Sequence, residues 1–397
     1  MGDTKKLFRT LAFANFFLYL GFNVWQAVFN NFAVEELHTQ ADQIGMIQSV
    51  RELPGLLGFV LAFLTLYLSE MRVMGISVLL LGVGIVMTGV SSTIPLLLVS
   101  TLVMSTGFHF FYPCSSSLLL MGTSKEEAPK AMGKLSGLSS LASVLGTVMI
   151  WLFVQGSDLG PIHIQAWGYR TTFLVIGGVV TVGSLFVMMN GRRYNMKREK
   201  RKVVFRAKYW LYYVLTFLLG SRRHIFYTFA IFLLVEVYGI SVRESAVLFL
   251  INSIVSTFAL PQLGKLVAKF GERKVLTWNF VGLMLVFLGY AYIPNLSILY
   301  GLFILDNVFM GFSLALESYF QKIVVSPDEI TGNVSIGQTI NHISALIVPV
   351  VGGILWEQIA PSATFLFGVA IAVICLVLVQ FIPKKQVLEE PLPVPAQ

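Results

Sequence analysis

Ionisable side chains stand near the middle of several long apolar segments of this chain. An ionised group in hydrocarbon is costly unless it faces water or pairs with another group, so such residues indicate a polar pathway through a membrane. Arginine can bind a carboxylate or phosphate through paired hydrogen bonds, whereas a carboxylic acid or histidine can load and release a proton. The residues concerned are Arg51, Glu52, His109, Arg222, Arg223, His224, Asp306, Glu317 and His342.

The composition is that of a membrane protein. Of 397 residues, 56% are hydrophobic and 12% are charged, against roughly a quarter charged in an ordinary soluble domain. The two cysteines, Cys114 and Cys375, fall inside apolar segments and offer no metal-ligand spacing. No nucleophile with its base and no phosphate-binding glycine loop is present in the sequence. We therefore predict neither an enzyme nor a cofactor.

Apolar segments of about 20 residues recur almost end to end, which predicts about twelve transmembrane helices. A basic central loop over 191–208 divides them into six-helix halves, residues 1–190 and 209–382, and a proline-rich tail over 383–397 is predicted to be disordered. The predicted spans are 8–32, 43–67, 73–91, 95–122, 130–155, 168–190, 209–238, 241–265, 275–293, 297–325, 331–356 and 361–382.

Lysine and arginine are concentrated in alternate loops, and cytoplasmic loops retain positive charge during insertion. With the N-terminus inside, the cytoplasmic loops hold the basic run over 192–202, whereas Arg170 and Arg243 are nearly alone outside. We predict a multi-pass protein of the cell membrane with both termini cytoplasmic. This topology accounts for the net charge of +8, so no nucleic-acid partner is needed.

The two halves resemble each other at a shift near 204 residues. Gly107-Phe108 matches Gly311-Phe312, and the segment 46–49 matches 250–253. A parallel duplication of six-helix halves is the repeat architecture of major facilitator transporters.

The loop between spans 8 and 9 is similar to the G-x-L-x-D-R-x-G-R-R signature of the major facilitator superfamily, with Ala268 at its Asp position. The resemblance implies an all-α membrane protein with two pseudo-symmetric six-helix bundles, in which spans 1, 2, 4, 5, 7, 8, 10 and 11 surround a central cavity. It also implies that the loop acts in conformational change, through the positions Gly264, Lys269, Gly271, Arg273 and Lys274.

Helical spacing and depth select the candidate site residues. For contact with a substrate we predict Asn23, Gln26, Arg51, His109, Tyr112, Arg223, Tyr227, Asn341 and His342. For proton coupling or gating we predict Glu52, Asp306, Glu317, Arg222 and His224.

Three further expectations concern how these residues are placed. Asp306 and Glu317 would share one face of an unbroken span 10. Glu52 would pair across the halves with Arg222 or Arg223. The small polar stripe of span 5 would serve either the cavity or close helix packing; it consists of Ser136, Ser139, Ser143 and Thr147.

These features predict a monomeric secondary transporter that moves a small organic solute by alternating access, coupled to protons. The arginines favour an anionic or zwitterionic solute. A multidrug/proton antiporter and a lipid or amphiphile flippase on the same fold are the alternatives. Span 5 lacks the G-P-x-x-G-G motif of drug exporters, and Val103 stands where they carry an arginine, which disfavours the first alternative.

Overall fold

The computed structural model describes residues 2–122, 128–159, 162–190, 206–325 and 328–383. Residues 191–205 of the predicted central loop (191–208) and residues 384–397 of the predicted tail (383–397) lie outside these residues. Within them, eleven helical stretches are long and apolar enough to cross a membrane. Residues 41–67 add a further span that is divided at Leu57, which gives the twelve predicted spans.

The N-terminal half contains seven helices and a short antiparallel hairpin, Ser157–Leu159 with Ile162–Ile164, among its described residues. A π-helical turn, Ile150–Val154, extends its sixth helix. The helices are α1 Gly2–Glu35, α2 Ala41–Leu56, α3 Gly58–Tyr67, α4 Glu70–Val90, α5 Ile94–Gly122, α6 Ala128–Met149 and α7 Gly168–Asn190.

The C-terminal half begins with a 3₁₀ turn, Ala207–Tyr209, and carries a second π-helical turn, Phe226–Ala230, inside its first span. Span 10 is interrupted at Gly311 and Phe312, so the expectation of one unbroken helix there was wrong. The helices are α8 Trp210–Ile225, α9 Ile231–Glu236, α10 Val242–Phe270, α11 Glu272–Tyr292, α12 Leu296–Met310, α13 Ser313–Ile323, α14 Asp328–Gln358 and α15 Pro361–Val379.

The repeat seen in the sequence is also visible in matching polar contacts. Ser117 donates to Glu70 at the start of α4 over 2.9 Å, and Ser318 donates to Glu272 at the start of α11 over 2.7 Å. Because each pair joins equivalent spans, the two halves are built on one plan.

The first and last described residues, Gly2 and Pro383, lie at one end of the bundle, which we call the terminal end; the opposite end is the far end. At the far end the halves are in direct contact. Asn31 of α1 donates to the Ile240 carbonyl over 2.8 Å and accepts from Ser245 of α10 over 3.1 Å. Close to these, Glu357 of α14 accepts from the Ala41 backbone over 2.8 Å. The far end is therefore closed in this structure.

Glycines let α2 and α14 approach closely along this seam. A Cβ at Gly45 would lie 2.1 Å from the Pro349 carbonyl oxygen, and a Cβ at Gly353 would lie 2.6 Å from the Ala41 carbonyl oxygen. No side chain fits at either position, so the two backbones pack directly against each other from the far end toward mid-depth.

Candidate functional site

A cluster around Glu52 of α2 links three helices and both halves. The Oε2 atom of Glu52 lies 3.1 Å from Nδ1 of His342 in α14 and 3.5 Å from Nε2 of His109 in α5. Arg51 donates to the other carboxylate oxygen, Oε1, over 3.2 Å. Adjacent helical residues point about 100° apart, but the long Arg51 side chain bends back to its neighbour. We call these four residues the Glu52 cluster.

Gly55 provides the space that His342 occupies. It lies one helical turn after Glu52, on the same face of α2, and a Cβ there would come within 2.3 Å of the His342 ring. His342 can thus reach across from α14 only because residue 55 has no side chain.

The hydrogen bonds of His109 fix which of its nitrogens carries a proton. Ser105 uses its hydroxyl proton to donate to the Arg51 carbonyl, so its Oγ can only accept from His109 Nδ1, 2.9 Å away. The Ser105 carbonyl, 3.0 Å from the same nitrogen, is also an acceptor. Nδ1 therefore bears hydrogen, and in a neutral ring Nε2 would direct a lone pair at the Glu52 carboxylate. An additional proton on the cluster removes this repulsion.

The same three side chains have the spacing of metal ligands. The donor atoms of Glu52, His109 and His342 all lie within 4.8 Å of one another, a grouping that sequence spacing alone could not reveal. However, Arg51 already holds the carboxylate, and its fixed positive charge opposes a second cation at this place. A divalent ion would bring two positive charges beside Arg51, whereas a proton would bring one.

Gly55→Ala tests the cluster without removing any of its ionisable groups. The added methyl group overlaps the His342 ring, so His342 must leave Glu52. The pH dependence of far-end closure, described below, should then become nearly as flat as that of an uncharged cluster. Gly58→Ala is the matched control, since a Cβ at Gly58 meets nothing within 4 Å. Equal pH responses in both variants would show that the contact between His342 and Glu52 is unimportant.

A cavity of about 270 Å³ lies between the halves, lined by α1 and α6 on one side and by the π-helical turn of span 7, α10 and α12 on the other. None of the described residues that line it is charged. Its polar groups are instead amides and hydroxyls. The amides are Asn23, Gln26, Asn252 and Asn307, and the hydroxyls are Ser143, Thr147, Ser253 and Ser256.

Aromatic rings form the apolar part of the cavity wall. Phe226 and Tyr227 belong to the π-helical turn in span 7, and Phe249 belongs to α10. Phe303 holds two of these rings in place, with centroid distances of 4.8 Å to Phe226 and 5.9 Å to Phe249. A π turn widens a helix locally and is common at functional sites; here it places Tyr227, 37% exposed, at the cavity.

A second charged group is an ion pair inside the C-terminal half. Nη1 of Arg222 in α8 lies 2.8 Å from Oδ1 of Asp306 in α12, and their side chains are 3% and 0% exposed. Tyr290 of α11 and Cys375 of α15 lie within electrostatic range of the pair. Asp306 therefore faces the interior of its own half, away from the cavity.

The chain matches a profile of the Major Facilitator Superfamily over residues 11–324 and again over 214–396. It belongs to the major facilitator superfamily. The match extends over nearly all of the chain and therefore over both halves.

Individual members are only distantly similar. An uncharacterised MFS-type transporter of Methanocaldococcus jannaschii is 23% identical over 269 residues, which is 65% of this chain and 66% of that protein. The nucleoside transporter NupG superposes with a TM-score of 0.72 at 14% identity, over 94% of this chain and 97% of that structure. An inward-facing, occupied bacterial homologue of the human lysosomal transporter Spinster gives 0.74 at 15%, over 98% of both chains. These two structures share the major facilitator fold.

The remaining candidate residues occupy varied positions in the major facilitator fold. Arg223 is half-buried and has no acidic partner among the residues described, and Glu317 is exposed. The break in span 10 lies between Asp306, which is buried, and Glu317, so these two acids lie in different surroundings, and their shared face stays a prediction. His224 is buried near the Glu52 cluster. Asn341 of α14 packs against Gly220.

The expectation that Glu52 pairs with Arg222 or Arg223 was also wrong. Arg222 pairs with Asp306 within one half, and the contact of Glu52 across the halves is made by His342. Tyr112 is 58% exposed. The span 5 stripe serves both expected purposes, since Ser139 accepts from Asn15 of α1 over 2.7 Å while Ser143 and Thr147 line the cavity.

The major facilitator loop motif lies at the terminal end between α10 and α11. Gly271 has φ +80°, a conformation that glycine adopts without strain, and it ends α10. Arg273 donates to the Gln380 side chain over 3.0 Å and so ties the start of α11 to the end of α15. Lys269 lies 5.2 Å from the Phe270 ring centroid, and Lys274 is exposed.

The sequence interpretation expected spans 8 and 10 at the cavity but did not select the residues with which they line it. Asn252 and Ser256 are four residues apart and share a face of α10, and Asn307 directly follows the ionisable Asp306. The spacing of the first two was a usable signal. It was passed over because neutral polar residues in a span carry less information than charged ones.

Proposed function

We propose that this protein is a secondary active transporter that carries a small organic solute by alternating access, coupled to protons. The observation that carries the proposal is the cavity shared by the two halves while the far end is closed. A site lined by both halves can be exposed to either side by rocking one half against the other.

The closed far end provides one of the two states that alternating access needs. Its contacts include a polar one between Asn31 and Ser245 and the backbone packing of α2 against α14. Opening the far end would withdraw α14 from α2 and so separate His342 from Glu52.

This geometry supports proton coupling. In the closed state Nδ1 of His342 lies 3.1 Å from the Glu52 carboxylate, and a proton on His342 turns this contact into an ion pair. Once α14 withdraws, His342 and Glu52 separate and that proton loses its carboxylate partner. The far-end-closed state therefore binds one proton more, and by linkage acid favours it. The charged groups near Glu52 are Arg51, His109, His342, His224 and Arg223.

The orientation and the solute complete the proposal. The basic loops support a cytoplasmic terminal end. We propose that the closed far end faces outward at the cell membrane and that the chain functions as a monomer. The likeness to the nucleoside transporter NupG and to the Spinster homologue supports a small organic cargo. The sequence favoured an anionic solute because of its arginines. Two of these already pair with acids, Arg51 with Glu52 and Arg222 with Asp306.

A thiol at the seam tests the proposal without knowledge of the cargo. Ser245 is fully buried at the contact between halves, and both native cysteines are buried. We expect Ser245→Cys to react slowly with a charged thiol reagent in acid and faster as pH rises. One additional proton changes the closed-to-open ratio by at most about tenfold per pH unit.

The matched control is Thr93→Cys, which lies exposed in a far-end loop and corrects for the pH dependence of thiol reactivity itself. Chelator should leave the ratio of the two rates unchanged, because a proton rather than a metal ion is bound. A rate ratio that does not vary with pH would refute proton-linked closure.

A further inference from the structure

The amide groups of the cavity are oriented by the backbone. Nδ2 of Asn23 lies 2.7 Å from the Tyr19 carbonyl and 2.7 Å from Ser143 Oγ. A carbonyl can only accept a hydrogen bond, so the NH₂ group of Asn23 must point there. Its Oδ1 is thereby left as an acceptor beside the cavity.

Asn307 repeats the arrangement on the opposite wall. Its Nδ2 lies 2.8 Å from Ser256 Oγ and 3.3 Å from the Asn252 carbonyl, so its Oδ1 is likewise free to accept. Asn252 adds a third acceptor, because its buried Oδ1 has no hydrogen-bond partner among the described residues. An unpaired buried acceptor is costly, and a donor on a bound solute would satisfy it.

We infer that this cavity takes an uncharged solute that carries several O–H or N–H donors and one flat apolar face. The inference rests on the proposed function and names its substrate class. Carboxylates and phosphates are acceptors at neutral pH, and they would meet amide oxygens from both halves with no charged residue in the lining. A hydroxyl-rich solute instead finds acceptors on both halves at once.

The apolar face follows from the aromatic wall. Phe226 and Phe249 are both packed against Phe303, so their positions are fixed before a solute arrives. A planar ring placed against such a wall gains contact area at little entropic cost to the protein. Polar donors would then be directed toward Asn23 and Asn307.

The inference is tested by binding of paired solutes, each an uncharged compound and its phosphorylated counterpart, to the purified full-length chain. The probes are uridine and adenosine with their 5′-monophosphates, and methyl glucoside with glucose 6-phosphate. Calorimetry in lipid nanodiscs would measure each affinity. We expect a neutral nucleoside to bind at least about tenfold more tightly than its monophosphate, and 2′,3′-dideoxyuridine, which lacks two donors, to bind about tenfold more weakly than uridine.

Substitutions locate the binding to this cavity. Asn307→Ala and Asn23→Ala should each weaken binding of the neutral nucleoside about tenfold through loss of one acceptor. The control is Ser140→Ala, an exposed α6 residue that bonds only to its own helix at Ser136 among the described residues. Either asparagine variant suffices if the other fails to fold.

Tighter binding of the phosphorylated partner, or binding of no neutral probe, would overturn the inference. The experiment distinguishes a wrong substrate class from a wrong transport proposal. The reactivity of Ser245→Cys is measured against pH alone and needs no solute. A pH-dependent reporter together with phosphate preference would leave alternating access standing and reject the uncharged solute.

Discussion

Glu52→Gln is expected to abolish the pH dependence of far-end closure. The amide keeps the size of the side chain but can no longer act as the anion that the two histidines approach. The reactivity of Ser245→Cys should therefore become flat across pH, where the parent changes by up to about tenfold per pH unit. Accumulation of solute against its gradient, driven by protons, should be lost, while exchange of solute at equal pH should persist because exchange requires no net proton movement.

The control for this variant is Glu317→Gln, the same chemical change at an exposed acid that has no ion-pair partner in the described chain. Its pH response should match that of the parent. If Glu52→Gln retains the parent pH slope, the Glu52 cluster is a structural contact and the coupling site lies elsewhere.

Arg222→Met is expected to produce the largest loss of stability. It leaves the Asp306 carboxylate, fully buried, without its partner, and breaking a buried pair in this way costs about 3–5 kcal/mol. The free energy of unfolding in mixed micelles would measure the loss. The neighbouring Arg223→Met is the matched control, since Arg223 is half-buried and lacks an acidic partner in the described part of the chain.

The double variant Arg222→Met with Asp306→Leu should recover most of that stability. Replacing both members of a buried pair by apolar residues is often neutral or stabilising. A double variant as unstable as the single one would show that Arg222 acts through contacts other than Asp306. Transport by a stable double variant would further show that the pair holds the C-terminal half together and carries no proton.

The architecture could be predicted from the sequence because its physical basis is local and repetitive. Each span can be recognised from the length of its apolar segment. The predicted bounds of the first span, 8–32, lie inside α1 Gly2–Glu35. The interruption at Gly311 and Phe312 was not predicted, since a break of two residues leaves the apolar pattern intact. Asp306 before the break is buried, and Glu317 after it is exposed.

The site could be predicted only as a set of residues, without the pairs they form. Periodicity gives the face of a helix, whereas the neighbour on that face depends on how helices pack. The sequence assigned Arg222 to coupling or gating and Arg223 to substrate contact without giving their partners, and packing buries Arg222 against Asp306. Likewise, nothing in the spacing of Glu52, His109 and His342 indicated that three helices bring them together.

The charge balance of the spans also gave an incomplete guide to the solute. Three arginines favoured an anion, but two of them hold acids. The neutral amides of the cavity carry the chemical information instead, and their meaning depends on which way each amide points. That orientation is fixed by carbonyls such as that of Tyr19, which a sequence pattern does not reveal.

The most direct test of alternating access measures two distances on the same pair of helices. Spin labels at Arg72 and Lys274 report the terminal ends of α4 and α11, and labels at Val90 and Tyr292 report their far ends; all four side chains are exposed. Double electron–electron resonance would record both distances as pH is raised. We predict that the far-end distance lengthens while the terminal-end distance shortens. Two distances that stay constant, or that change in the same direction, would contradict a cavity opened to each side in turn.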